Sequence, residues 1–151
     1  MTDADLLIKI ALACEGASEV PTGSNAGPFV ERCLKVVGLP KGQPWCAAFV
    51  AMVGRVAFDE DWPLPLTGGC AVLGDFAKKK GWLRDKPKRG AVFLIWHPEL
   101  GRFAHTGICL DNKSDSISGN TSGAGSREGW IVGRRNWAFK PEDKFIYWDI
   151  A

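Results

Sequence analysis

Apolar and polar residues follow one period in the first half of the chain and another in the second. Leu7, Ile10, Ala11 and Cys14 recur at the i, i+3, i+4, i+7 spacing of one helix face, behind a Thr2-x-x-Asp5 pair with the form of a capping box. Glu15-Gly16 ends that helix, and 21–27 reads as loop. Pro28 suits the first turn of a second helix, where its missing N–H would be unpaired in any case. Phe29, Cys33, Val36 and Val37 share a face of it, and Gly38-Leu39-Pro40 stops it. A third helix opens near Pro44-Trp45-Cys46 with Cys46, Phe49, Val50 and Val53 on one stripe, and a fourth runs from Val72 to Lys80, ending at Gly81. Past Pro87 the pattern changes. Residues 91–96 are one apolar run, as in a buried strand, and His105 to Leu110 and Ser116 to Asn120 flank the polar turn 111–115. Thr121 to Gly129 is a Gly/Ser loop, and Trp130 to Arg135 and Phe145 to Ile150 supply the last strands.

Helices followed by sequential antiparallel strands predict an α+β fold, with the helices packed on one face of a sheet. The 151 residues contain no repeat and no linker, so one domain is expected over 1–151. A chain of that length buries roughly 68–70% of its unfolded surface, enough for a true core. With 46% hydrophobic residues, a disordered or collagen-like polymer is excluded. Nineteen Lys and Arg against 17 Asp and Glu leave +2, which favours no class of partner. The basic run Lys78, Lys79, Lys80, Arg84, Lys86, Lys88 and Arg89 reads as a solvated helix end rather than a nucleic-acid surface. There is no apolar run of ~20 residues, so no membrane span is expected. The start, Met1-Thr2-Asp3-Ala4-Asp5, is acidic where a secretory signal is basic, so synthesis in the cytoplasm without a signal peptide is expected.

The cysteines speak through their positions. Cys14, Cys33, Cys46, Cys70 and Cys109 are odd in number and form no C-x-x-C, and His97 and His105 are the two histidines. A structural zinc site wants four Cys or His ligands in paired spacings, so no metal or other cofactor is expected. A buried cysteine is ordinarily a small core hydrophobe. That account suits Cys14 and Cys33 in apolar stripes, Cys109 within a strand and Cys70 in a Gly-Gly-Cys-Ala turn. Cys46 differs, because it opens a helix, where N–H groups and the macrodipole favour a thiolate.

A nucleophilic thiolate needs a base. His97 precedes Pro98 in a loop context, whereas His105 begins a strand, which holds an imidazole more rigidly. If the following hairpin folds about Asn112-Lys113, paired positions sum to 225, which sets His105 opposite Asn120. Cys46, His105 and Asn120 then compose a Cys-His-Asn set of the kind used for acyl transfer. Trp45 and either Trp130 or Trp137 are the aromatic residues expected at a cleft, with Trp82, Trp96 and Trp148 in the core.

Three blocks carry a resemblance. Gly42-Gln43-Pro44-Trp45-Cys46-Ala47-Ala48-Phe49-Val50, Ala104-His105-Thr106-Gly107 and Ile117-Ser118-Gly119-Asn120-Thr121 resemble the cysteine, histidine-dependent amidohydrolase/peptidase (CHAP) family, as does Ser24-Asn25-x-Gly27-Pro28 upstream. The likeness runs from about Glu15 to Arg135 and is strongest to the small single-domain phage and prophage forms. It implies a papain-like fold, with Cys46 as nucleophile, His105 as base and then acid, and Asn120 as the residue that orients the imidazole. Many members carry an acidic residue at that third position. Gln43 is the candidate second oxyanion donor.

The implied activity is hydrolysis of a peptidoglycan amide bond, either the N-acetylmuramoyl-L-alanine amide or a peptide bond in the stem or cross-bridge. Bacterial peptidoglycan is then the partner, acted on in the periplasm by a monomer after release by a holin, a phage particle or a secretion system. An endolysin and a delivered antibacterial effector with a delivery or immunity protein both fit. Two rivals are a non-catalytic wall-binding or phage structural module on the same fold, and a cysteine protease or acyltransferase acting on protein.

Overall fold

The computed structural model describes residues 1–121 and 129–150, so the Gly/Ser loop expected between Thr121 and Gly129 lies, over 122–128, outside the described residues. Helix α1 (Asp3–Ala13) has the expected capping box. The Thr2 N–H donates to Asp5 Oδ2 at 2.9 Å, and the Asp5 N–H donates to Thr2 Oγ1 at 3.1 Å. Helix α2 (Pro28–Val36) begins at its proline. Its buried ridge is Val30, Cys33 and Leu34, which meets α3, while Phe29, Val36 and Val37 flank that ridge half-buried.

Helix α3 (Cys46–Phe58) is buried all round from Cys46 to Gly54, not along one stripe as expected. The reason is its place: α1 and α2 cover one side and the sheet covers the other. Ala47, Ala48 and Ala51 let those neighbours approach. Helix α4 (Cys70–Lys80) starts two residues before the expected Val72, so Cys70 is a helix start and not part of a turn. Gly81 closes it in the left-handed region, at φ 75°.

Six strands follow: β1 (Leu83–Arg84), β2 (Val92–His97), β3 (Arg102–Cys109), β4 (Asp115–Thr121), β5 (Ile131–Asn136) and β6 (Lys144–Ile146). They form one antiparallel sheet in the order β1-β6-β2-β3-β4-β5, and the fold is α+β. The strand expected to reach Ile150 stops at Ile146, because the chain turns into a short 3-10 segment and Trp148 Nε1 donates to the Gly90 carbonyl at 2.8 Å. Strand alternation divides the interior. Val92, Leu94, Ile108 and Ile146 face the helices, whereas Phe93, Cys109 and Phe145 form a smaller cluster under Trp137, Phe139 and Tyr147. The basic residues of 78–89 stay at the surface, where Arg89 pairs with Asp5 at 2.6 Å and Lys88 with Asp149 at 3.3 Å.

The β3–β4 hairpin positions the site. Asp111 Oδ1 accepts the N–H groups of Lys113, Ser114 and Asp115, which builds the turn. The register is the expected one, with Ile108 opposite Ile117 and Cys109 opposite Ser116. Pairing between the two strands stops there. Further along, the β4–β5 register slips between Ser118 and Thr121, and Asn120 takes a left-handed φ of 55°. Gly119 lies against the first turn of α3: a Cβ there would sit 2.6 Å from Trp45 Cζ3 and 2.8 Å from Phe49 Cβ. A Gly119→Ala variant is therefore expected to lose about 1–3 kcal/mol by overpacking, read as a lower urea midpoint at unchanged slope.

Candidate active site

Cys46 is the first residue of α3, and Trp45 before it supplies no side-chain cap. The helix start is anchored by packing instead. Trp45 is fully buried, its ring lies edge-on to Phe29 at 6.2 Å, and its Nε1 donates to Glu19 Oε2 at 2.8 Å. Glu19 is itself buried and accepts the Gly23 N–H through Oε1. Trp45 is thus a core anchor, which corrects its expected place at a cleft: a ring in the protein interior cannot stack on a ligand.

The Cys46 sulfur sits where the β3–β4 ladder lapses. In an unbroken ladder the pairing at 108 and 117 would next join Thr106 to Gly119. Here the Thr106 backbone instead helps to favour the Cys46 thiolate. Three further influences act on the thiol. Hydrogen bonding from Cys70 favours the thiolate most, burial opposes it, and the His105 imidazole favours it by contact and by charge. The outcome is a thiol well below its ordinary range. The other four go the opposite way: burial pushes Cys33 and Cys109 up to about 12 and raises Cys14, and the bond to Cys46 with burial holds Cys70 well up.

His105 is buried on β3, its ring 5.9 Å from Phe93 and 5.6 Å from Trp137 between centroids. Its Nε2 lies 3.1 Å from Ser118 Oγ, and Nδ1 has no hydrogen-bond partner. In the tautomer that leaves Nδ1 free to take a proton from Cys46, Nε2–H donates to Ser118. The orienting contact expected from Asn120 is therefore made by Ser118. Asn120 is buried close by in sequence, but its Oδ1 has no partner, and no hydrogen bond joins it to His105. The cause is the local break in strand geometry at φ 55°, which defeats simple alternation.

Two pockets meet at this pair. One, of about 200 Å³, is lined by Gln43, Cys46, Cys70 and Arg102 among others. The second, of about 290 Å³, is lined by Trp96, His97, His105, Trp137 and Lys140. Ala104 lines both. Gln43 thus lines the same pocket as Cys46. Trp130 is 42% exposed and lines neither pocket, while Trp137, offered as its alternative, flanks His105. Trp96 faces a pocket rather than the core, because β2 bulges between Ile95 and Trp96. Trp148 is buried and Trp82 packs half-buried against the core, as expected.

Comparison with family models, with curated proteins and with solved structures gives no match. The site therefore rests on its own geometry. Three of its residues escaped the sequence reading. Cys70 was detectable, since Cys70, Leu73 and Ala77 continue one helix face back to Gly69. Ser118 was too: it shares a strand face with position 120, one diagonal step from His105. Asp143 gave no such sign. It is buried and accepts the N–H groups of Trp96 and Lys140 at 2.8 Å each, which fastens the wall of the second pocket to β2. Among the described residues, no three His, Cys, Asp or Glu side chains gather as a metal site would require.

Two outcomes are expected from alkylation. Iodoacetamide should modify Cys46 first at neutral pH and continue to do so well below pH ~8.5, the ordinary thiol value, because the thiolate persists down to its lowered pKa. Peptide mapping over a pH series checks this. Ser118→Ala should slow Cys46 alkylation near neutral pH about tenfold and raise its pH midpoint, since the lost bond is of order 1.4 kcal/mol, whereas Asn120→Ala should move the midpoint less.

Proposed function

We propose that the protein is a cysteine-dependent amidohydrolase of CHAP type that cleaves an amide bond in bacterial peptidoglycan. One observation carries the reading. The single cysteine whose thiol is lowered opens a helix beside an imidazole fixed by Ser118, at the junction of two pockets. A nucleophile at a helix start, packed against antiparallel strands that carry its base, supports a papain-like arrangement.

The chemistry follows from the placement. The Cys46 thiolate attacks the amide carbon, and the oxyanion forms beside the backbone N–H groups at the start of α3, which lack intrahelical partners. Gln43, on the same pocket, is the candidate second donor. His105, having taken the thiol proton at Nδ1, gives it to the leaving amine, and the thioester remains on Cys46. His105 then deprotonates a water that attacks the thioester, which releases the acid and restores the thiol. The acyl part of the substrate occupies the Gln43–Arg102 pocket, and the leaving amine occupies the Trp96–Trp137 pocket next to His105. Bound substrate displaces water from both, which strengthens these interactions.

The test is mass spectrometry of purified Gram-negative sacculi after incubation with wild type, Cys46→Ala or His105→Ala. Wild type should release fragments whose masses name the bond, and each variant should lose on the order of 10⁶-fold in rate, as members of a catalytic unit do. Sacculi bound but left intact would favour a wall-binding module. Casein cleaved in their place would favour a protease acting on protein.

A further inference from the structure

Cys46 has a second thiol beside it. Its sulfur lies 3.7 Å from that of Cys70, and both thiols are buried at the first positions of their helices, α3 and α4. Both line the same pocket of about 200 Å³. A disulfide needs the sulfurs at ~2.05 Å, so the gap to close is about 1.6 Å, within reach of a side-chain rotation. Nothing intervenes chemically, since each thiol is the other's hydrogen-bond partner.

We propose that Cys46 and Cys70 form a reversible oxidative modification site, in which a hydroperoxide converts the pair to a disulfide and so blocks the nucleophile. The inference rests on the reading of Cys46 as a reactive thiolate and adds regulation to that site. The steps balance. The Cys46 thiolate attacks one peroxide oxygen, becomes a sulfenic acid and releases hydroxide or alkoxide. The Cys70 thiol then attacks the sulfenic sulfur, the S–S bond forms, and the oxygen leaves as water. Two electrons pass from the two thiols to the peroxide.

The division of roles follows from the surroundings. Cys46 is held as the anion that reacts with peroxide, while Cys70, kept protonated by burial and by its bond to that anion, is spent second. Once Cys46 is a neutral sulfenic acid, the charge that held the Cys70 proton is gone and its thiolate becomes accessible. Cys70 thereby protects Cys46 from the irreversible sulfinic and sulfonic states.

The chain suits a direct test. Trypsin places Cys46 in peptide 42–55 and Cys70 in peptide 56–78, each with no other cysteine. Wild type treated with hydrogen peroxide and mapped without reduction should yield these two peptides joined and short of two hydrogens, and dithiothreitol should separate them. Release from sacculi should fall with the fraction joined and return on reduction. In Cys70→Ser, which keeps a donor beside Cys46, peroxide should instead add two or three oxygens to peptide 42–55, and reduction should restore nothing. A wild-type protein whose Cys46 goes to sulfinic acid with no joined peptide overturns the proposal, as does recovery of Cys70→Ser equal to wild type. The joined peptides are scored without substrate. A protein that forms them yet leaves sacculi intact overturns the hydrolase reading and keeps the pair.

Discussion

The site depends on a gap in the sheet. Where β3 and β4 stop pairing beyond Ile108 and Ile117, the Thr106 backbone that would serve the ladder instead favours the Cys46 thiolate. Cys46 comes from the helix side of the sheet, while His105 packs among the rings of the other face. The stretch of β4 where pairing lapses is the one that meets α3. That contact is tolerable because Gly119 has no side chain to keep the strand away from α3.

Holding that geometry falls to residues with no chemistry of their own. Trp45 and Glu19 fix the angle at which α3 enters the core, through a buried charge-assisted hydrogen bond of the stronger kind. Asp143 does the corresponding work across the molecule, tying the segment that carries Trp137 and Lys140 to the end of β2. The two buried carboxylates thus anchor the helix that begins with Cys46 and the pocket wall beside His105. Each is satisfied by N–H donors, which is the condition for leaving a carboxylate inside a protein.

The sequence made the architecture legible because hydrophobic periodicity reports burial directly. The four helices, five of the six strands and the hairpin register all follow from spacing and turn chemistry, and β1, two residues long, is too short to have a period. Cys46 and His105 were legible because a helix start and a strand are local features. What spacing could not give was the departure from regularity. Asn120 is set opposite His105 only in an ideal ladder, and its positive φ, beside a Gly119 that lies close against α3, is a departure that spacing does not report. Trp45 misled for a similar reason: adjacency to a nucleophile in sequence says nothing about which way a ring of that size is buried.

Ala104 lines both pockets from the strand position just before His105. It is thus common to the lining that holds the Cys46 thiol and the lining that holds the His105 imidazole. If the protein acts as proposed, a substrate that spans both pockets passes over Ala104, so a larger side chain at this position would divide the two linings.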